Sequence, residues 1–123
     1  MLTIPITVKL VGVSFGDAQA NIKIFGSPDI RWFALVREPN NPNDPNAIRV
    51  ALFGEYFMGY IPKETAAHLA PMMDAGREFD AEFVCVNKHP HHEIVGLTVK
   101  IVEIIPKATE DRKILKGGTG YDA

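Results

Sequence analysis

Residues 37–50 contain the side chains of this chain best suited to binding a polar ligand. Three prolines alternate with four asparagines and an aspartate between positions 39 and 46. Proline fixes φ and lacks a backbone donor, while Asn and Asp side chains bond to nearby backbone groups, so a loop of this composition is stiff. A stiff loop presents its amide and carboxylate groups in fixed directions, which favours recognition over a solvated tether.

Two roles are open for the polar side chains of this loop. They can cap backbone groups across a wide turn, or Asn41 and Asp44 can point outward and bond to a ligand. A carboxylate repels phosphate, so Asp44 does not suit a generic phosphate groove. It suits a ligand that donates a hydrogen bond, from a hydroxyl or a base amine.

A second candidate segment, Gly59 to Lys63, follows about a dozen residues later. Glycine at position 59 allows close backbone approach, Tyr60 offers a ring for stacking, and Lys63 can contact a phosphate at the start of a helix. The alternative is a core tyrosine beside a solvated lysine. The residue types leave both readings open.

Three histidines in one turn raise the question of a metal site: His89, His91 and His92. A hairpin tip lets only some imidazoles converge, and no Glu-x-x-His motif or Cys pair completes a tetrahedral site. A solvated turn is therefore predicted, with a metal-dependent hydrolase as the weaker alternative. The sequence also lacks a nucleophile elbow and a P-loop, so we predict no catalytic residue and no cofactor.

Composition and charge are those of an ordinary globular domain, with 46% hydrophobic residues, 23% charged residues and a net charge of −2. Nucleic-acid binding would therefore need a local site rather than a global attraction. The single cysteine, Cys85, excludes an internal disulfide; a buried thiol is predicted there, and Trp32 is predicted to lie in the core. No segment approaches the ~20 apolar residues of a membrane span, so we expect no membrane association and a cytoplasmic location.

Apolar residues that alternate with a period of two predict short β-strands along most of the chain. The predicted strands cover about residues 4–14, 31–38, 47–52, 56–61, 78–88 and 94–105. A short helix is predicted over 17–25, and a second one over 62–76 should be kinked or divided at Pro71. The prediction is a mainly β fold with short helical insertions, namely a small, partly open β-barrel of OB-like or SH3-like type.

Together, the loop and the 59–63 segment resemble the HIRAN domain, in particular its stand-alone bacterial and phage type. The same module also occurs at the N-terminus of some SWI/SNF-type DNA-repair helicases. The family pattern is Arg-x-Pro-x-Asn-Pro-x-Asp-x-Asn-Ala-Ile-x-Val, followed by a hydrophobic-Gly-Tyr/His segment that leads into a helix. The matching residues are Arg37, Pro39, Asn41, Pro42, Asp44, Asn46, Ala47, Ile48, Val50, Gly59, Tyr60 and Ile61.

The resemblance covers about residues 8–102, and residues 11–15 are similar to the opening strand of stand-alone members. It implies an OB-like barrel. We expect this domain to occupy residues 1–106, and residues 107–123 to form a polar, flexible tail.

The resemblance also implies a ligand, because helicase-linked HIRAN domains bind single-stranded DNA and capture its 3′-hydroxyl end. In this chain, Asn41 and Asp44 would contact the terminal nucleotide, with Asp44 accepting a hydrogen bond from the hydroxyl. The bases would stack on Phe15 and Tyr60, and a phosphate would meet Lys63. The loop would be supported by Arg37 and Asn46.

The chain departs from the helicase-linked members at two places. They carry an arginine and aromatic residues where this chain has Val13, Ser14 and Phe15, and often an aromatic residue where this chain has Asn43. The expected function is a non-catalytic module that binds single-stranded DNA ends, linked to DNA repair or replication. The alternative is a protein-docking module that uses the surface between Tyr56 and Tyr60.

Overall fold

The computed structural model describes residues 2–105, so the tail expected over residues 107–123 lies outside the described residues. The elements follow one another as β1 (Ile6–Lys9), α1 (Ala18–Phe25), β2 (Trp32–Arg37), β3 (Ile48–Leu52), β4 (Tyr56–Tyr60), α2 (Lys63–Asp74), β5 (Glu78–His89) and β6 (His92–Ile104). The period-two pattern located these strands correctly, and the first strand is shorter than expected.

The strands form one antiparallel sheet in the order β1-β6-β5-β2-β3-β4. The two edges of this sheet meet just beyond β1. There the backbone N–H of Val11 donates to the Tyr60 oxygen at 2.9 Å, and the N–H of Tyr60 donates to the Val11 oxygen at 2.8 Å. The sheet therefore curls into a small, partly open barrel, which confirms the predicted mainly β fold.

The core lies inside the curled sheet. Its fully buried side chains come from alternate strand positions and from one face of each helix. Among the largest are Phe33, Ile48, Val50, Met58, Leu97, Val99 and Ile101 from strands, and Ile22 and Leu69 from helices. Burying a side chain of this size contributes about 1.5–3 kcal/mol, so the two helices are held mainly by these apolar faces.

Helix α2 is continuous through Pro71, so of the two predicted alternatives, a kink or a division, the division into two pieces is wrong. Proline removes one N–H donor, and the carbonyl left without its helical partner belongs to Ala67, on the exposed face, where water can satisfy it. The N–H of Ala75 donates to the Pro71 oxygen at 3.0 Å and continues the last turn. No helix within residues 2–105 is long and apolar enough to cross a membrane.

Two burial predictions are also wrong. Trp32 is 41% exposed because it lies on the outer face of β2, where the Arg31 guanidinium sits 5.1 Å from its ring centre. Cys85 is exposed because the pairing of β5 with β6 shifts register between Phe83 and Cys85. A one-residue shift turns a side chain to the opposite face, and the apolar neighbours of Cys85 in sequence gave no sign of it.

Candidate nucleic-acid interface

A groove of about 300 Å³ opens beside the backbone pairing that closes the barrel. Five of its lining residues are the nucleic-acid-binding residues expected from the sequence: Phe15, Asn41, Asp44, Tyr60 and Lys63. Val11, Ala47 and Ile61 supply apolar surface between them. The volume is at the small end of the ~300–1,000 Å³ range of ligand pockets, which suits a terminal unit rather than a long stretch of strand.

The Asn/Pro loop forms one wall of this groove, and its side chains also hold its own backbone. The Asn43 N–H donates to Asn41 Oδ1 at 2.8 Å, and the Asn46 N–H donates to Asp44 Oδ1 at 2.9 Å. These are the turns that Asn and Asp commonly form with the backbone two residues on. Asp44 is half-buried, and its second oxygen, Oδ2, accepts no hydrogen bond from residues 2–105. The capping role and the groove-lining role therefore coexist.

Arg37 joins the far end of the loop to helix α2. Its Nη1 donates to the Ala47 oxygen at 2.9 Å and its Nη2 to the Pro45 oxygen at 3.1 Å. The same guanidinium forms a bidentate salt bridge with Asp74, from Nε to Oδ1 at 2.9 Å and from Nη2 to Oδ2 at 3.0 Å. Arg37 thus contacts the loop directly, whereas the hydrogen bond that Asn46 contributes comes from its backbone.

Replacing Arg37 with methionine should lower the free energy of unfolding by about 2–3 kcal/mol, because two loop carbonyls lose a charged donor. Asp74→Asn is the matched control. It leaves both carbonyl bonds in place and should cost much less, since the Asp74 side chain is 56% exposed and solvent screens the pair. Urea unfolding of both variants measures the difference, and equal losses would contradict this account of Arg37.

Acid unfolding gives a further check on the Arg37–Asp74 pair. The hydrogen bond from Arg37 lowers the pKa of Asp74 below its ordinary value. The pair therefore contributes stability in full above the unfolded pKa, about 4, and this contribution is lost as pH falls through the lower folded-state pKa. Wild type should lose stability more steeply than Asp74→Asn below about pH 4.

A carboxylate behind the loop links it to the tyrosine of the groove. Glu38 Oε1 accepts hydrogen bonds from the Asn41 amide nitrogen and from the Tyr60 hydroxyl, each at 2.9 Å. Its other oxygen lies 3.4 Å from Nε of Arg49. Burial raises the pKa of Tyr60, and the hydrogen bond to Glu38 raises it further. Glu38 is not one of the residues expected from the sequence, because it occupies the open position of the family pattern between Arg37 and Pro39.

The opposite wall is the turn from Gly12 to Phe15, which helix α1 holds in place. A Cβ at Gly12 would lie 3.1 Å from the rings of both Phe15 and Tyr60, so glycine lets the two aromatic residues approach the same point. Gln19 of α1 donates to the Val13 oxygen at 2.8 Å. Its amide also exchanges two hydrogen bonds with the backbone of Val95, at 2.8 Å and 2.9 Å. Phe15 remains 62% exposed and is available to a ligand.

Lys63 is the cation that lines the groove within residues 2–105, and it is the first residue of α2. The N-terminus of a helix favours negative charge, which adds to the attraction of the ammonium group. The groove therefore has one cationic corner at Lys63 and one anionic wall at Asp44, with aromatic and aliphatic surface between them. A ligand with a phosphate, a flat ring and a donating hydroxyl matches this arrangement.

The three histidines lie at the tip of the β5–β6 hairpin, away from this groove. The ring of His89 is 4.4 Å from that of His92 and 5.7 Å from that of His91, and the His91 N–H donates to Nδ1 of His89 at 3.1 Å. Within residues 2–105, no three His, Cys, Asp or Glu side chains are arranged to hold a metal ion.

Comparison with known proteins gives a family match over most of the chain. The model of the HIRAN domain matches residues 6–103. The helicase-like transcription factor of Oryctolagus cuniculus is 56% identical over 41 residues, which make up 33% of this chain. A Fanconi-associated nuclease 1 homolog of Arabidopsis thaliana is 30% identical over 94 residues, or 76% of this chain.

These two relatives are much longer than this chain. The match covers 4% of the first and 10% of the second. The fold has a solved counterpart as well. The crystal structure of the HIRAN domain of human HLTF is similar with a TM-score of 0.55 and 26% identity. That similarity covers 78% of this chain and 73% of the human one.

Proposed function

Because this chain belongs to the HIRAN domain family, we propose that it is a non-catalytic module that binds single-stranded DNA and prefers a 3′-hydroxyl end. The proposal places the activity in residues 1–106 and links it to DNA repair or replication. Three features of the groove support it: a partly unengaged carboxylate, aromatic surface and a cation. Each matches one part of a terminal nucleotide.

The strongest support for end binding is the position of the Asp44 carboxylate in the groove. Its Oδ1 is held by the Asn46 N–H, so the group is fixed, while Oδ2 accepts no hydrogen bond from residues 2–105. A fixed carboxylate accepts a strong hydrogen bond from a hydroxyl and repels a phosphate. A strand that ends in a 3′-hydroxyl fits this wall, and the interior of a strand places a phosphodiester there instead.

The aromatic and cationic residues would bind the rest of the terminal nucleotide. A base stacked on Phe15 or Tyr60 gains about 1–3 kcal/mol whatever its identity, since every base has a π-face. Lys63 at the start of α2 would meet the phosphate on the 5′ side of that nucleotide. Val13 and Asn43 stand where helicase-linked members carry an arginine or aromatic residues, so we expect a modest affinity.

Fluorescence anisotropy with short single strands that end in a 3′-hydroxyl or a 3′-phosphate tests the proposal. We expect the hydroxyl strand to bind about tenfold or more tightly, because a charge-assisted hydrogen bond is replaced by repulsion. Binding should also weaken with salt. The slope should be shallow, near −0.7 for the single phosphate at Lys63. Equal affinities for the two strands would refute end capture.

Protein docking is the second candidate function, and the turn between β3 and β4 favours it. Phe53 at the tip of this turn is 83% exposed and has a φ of 57°, which is uncommon for a bulky side chain. Residues held in such conformations often cluster at functional positions. Tyr56 nearby is also exposed, and its ring lies 5.1 Å from that of Phe25. Negligible binding of single strands at every salt concentration would favour protein docking over DNA binding.

A further inference from the structure

Glu38 contacts both the Asn/Pro loop and the tyrosine of the groove, and it is not one of the groove-lining residues. One of its oxygens accepts from Asn41 on the loop and from Tyr60 on β4. These two residues lie on different elements and both line the groove. A single carboxylate oxygen therefore fixes the position of the loop amide relative to the stacking ring.

We propose that Glu38 is a positioning residue, which holds Asn41 and Tyr60 in the geometry that binds the terminal nucleotide and does not touch that nucleotide itself. The inference rests on the proposed function, which it deepens. It assigns a role to a residue that the family pattern leaves open, between Arg37 and Pro39. Arg49 belongs to the same unit because it compensates the charge of Glu38.

The environment of Glu38 explains why a carboxylate is needed at this position. Its side chain is 28% exposed and both of its oxygens have partners, Arg49 beside Oε2 and the two groove residues at Oε1. Arg49 is 27% exposed and its Nε is buried 3.4 Å from Glu38 Oε2, with no hydrogen-bond partner among the described residues. The contact is thus ionic rather than a well-directed hydrogen bond. It leaves the other Glu38 oxygen to receive both groove residues.

The contact with Glu38 holds the hydroxyl of Tyr60 in place. Since the hydroxyl donates to Glu38, the ring is fixed and the groove receives its face or edge rather than a mobile phenol. The Asn41 amide is similarly fixed at both ends, by Glu38 and by the Asn43 N–H. Preorganised groups lose less conformational entropy on binding, which is how a residue outside the groove affects affinity.

A double-mutant comparison tests the role of Glu38. Glu38→Ala in the full chain should weaken binding of a 3′-hydroxyl single strand about tenfold. In an Asn41→Ala/Tyr60→Phe background, the same substitution should change affinity less than about twofold, because the groups that Glu38 positions are absent. Lys63→Ala provides the matched control. In the double variant Lys63→Ala/Glu38→Ala, the fold losses of affinity from the two substitutions should multiply, since the two residues share no contact within residues 2–105.

Two outcomes would overturn the inference while leaving DNA binding intact. One is an unchanged affinity in Glu38→Ala. The other is an equal weakening in both backgrounds, which would indicate general destabilisation rather than positioning. Urea unfolding of each variant, at the temperature of the binding assay, corrects the affinities for any unfolded fraction.

A failure to bind single strands would refute the proposed function but not the contact between Glu38 and Tyr60. The ionisation of Tyr60 tests that contact separately. Absorbance titration of the phenolate, with Tyr60→Phe identifying the signal, should show a raised pKa for Tyr60 in wild type. Glu38→Gln should lower this pKa towards the ordinary value, because the nearby negative charge that opposes phenolate formation is gone. An unchanged Tyr60 pKa in Glu38→Gln would overturn the inference.

Discussion

Asp44→Asn should abolish the preference for a 3′-hydroxyl end, and this is the largest effect on binding that we expect. Asparagine keeps an oxygen that can accept from the Asn46 N–H, so the loop is preserved. It removes the negative charge, and a hydrogen bond that a hydroxyl makes to a charged acceptor is worth about 1.5–3 kcal/mol. Affinity for the hydroxyl strand should therefore fall about ten- to one-hundred-fold.

The same substitution should strengthen binding of the strand that ends in a 3′-phosphate, because the repulsion between two negative charges is lost. Opposite changes for the two strands distinguish the loss of a hydroxyl acceptor from damage to the groove, which would weaken both. Asp29→Asn is the control. It makes the same change of charge at an exposed position outside the groove and should alter neither affinity. A hydroxyl preference that survives in Asp44→Asn would show that another group reads the strand end.

The fold could be predicted largely from the sequence because alternation reports burial directly. In β1, residues 6–9 alternate between half-buried and exposed, as their types predict. The failures occurred where a tertiary feature overrides the local pattern. Cys85 is turned outward by a register shift between two strands, and Trp32 lies on the outer face, so neither exposure could be predicted from residue type.

The candidate site could be predicted from the sequence only in part. Asn41 and Asp44 could be identified because amides and a carboxylate on a proline-stiffened loop are unusual, and the structure places both of them in the groove. Glu38 could not be identified, since its contacts with Tyr60 and Arg49 join residues that are distant along the chain. A charged residue at a strand end is ordinary in sequence. Only the pairing of β2 with β3, and of β3 with β4, makes it a link between loop and barrel.

The seam that closes the barrel depends on Gly59, and Gly59→Ala should be strongly destabilising although it adds only one methyl group. Gly59 has a φ of 147°, which side chains rarely allow. A Cβ added there would lie 3.0 Å from the Val11 oxygen, 3.1 Å from the Leu10 Cβ and 3.2 Å from a Val13 methyl carbon. Both the backbone conformation and the approach of the two sheet edges therefore require glycine.

The cost of Gly59→Ala has two parts. Backbone strain in this region costs about 1–3 kcal/mol. Relieving the contact with the Val11 oxygen would lengthen the two hydrogen bonds between Val11 and Tyr60, each worth about 1 kcal/mol. We expect the free energy of unfolding to fall by about 2–4 kcal/mol in total, measured by urea denaturation.

Gly76→Ala separates the two parts of this cost. Gly76 has a φ of 99°, and a Cβ there would have no atom within 4 Å, so this variant reports strain without the contact. Gly59→Ala should be the more destabilising of the two. It should also weaken binding of the hydroxyl strand beyond the unfolded fraction, because Val11 and Tyr60 line the groove as well as close the barrel. Equal losses of stability in both variants would show that the seam tolerates a methyl group, and unchanged binding after correction for the unfolded fraction would show that the groove does not depend on its closure.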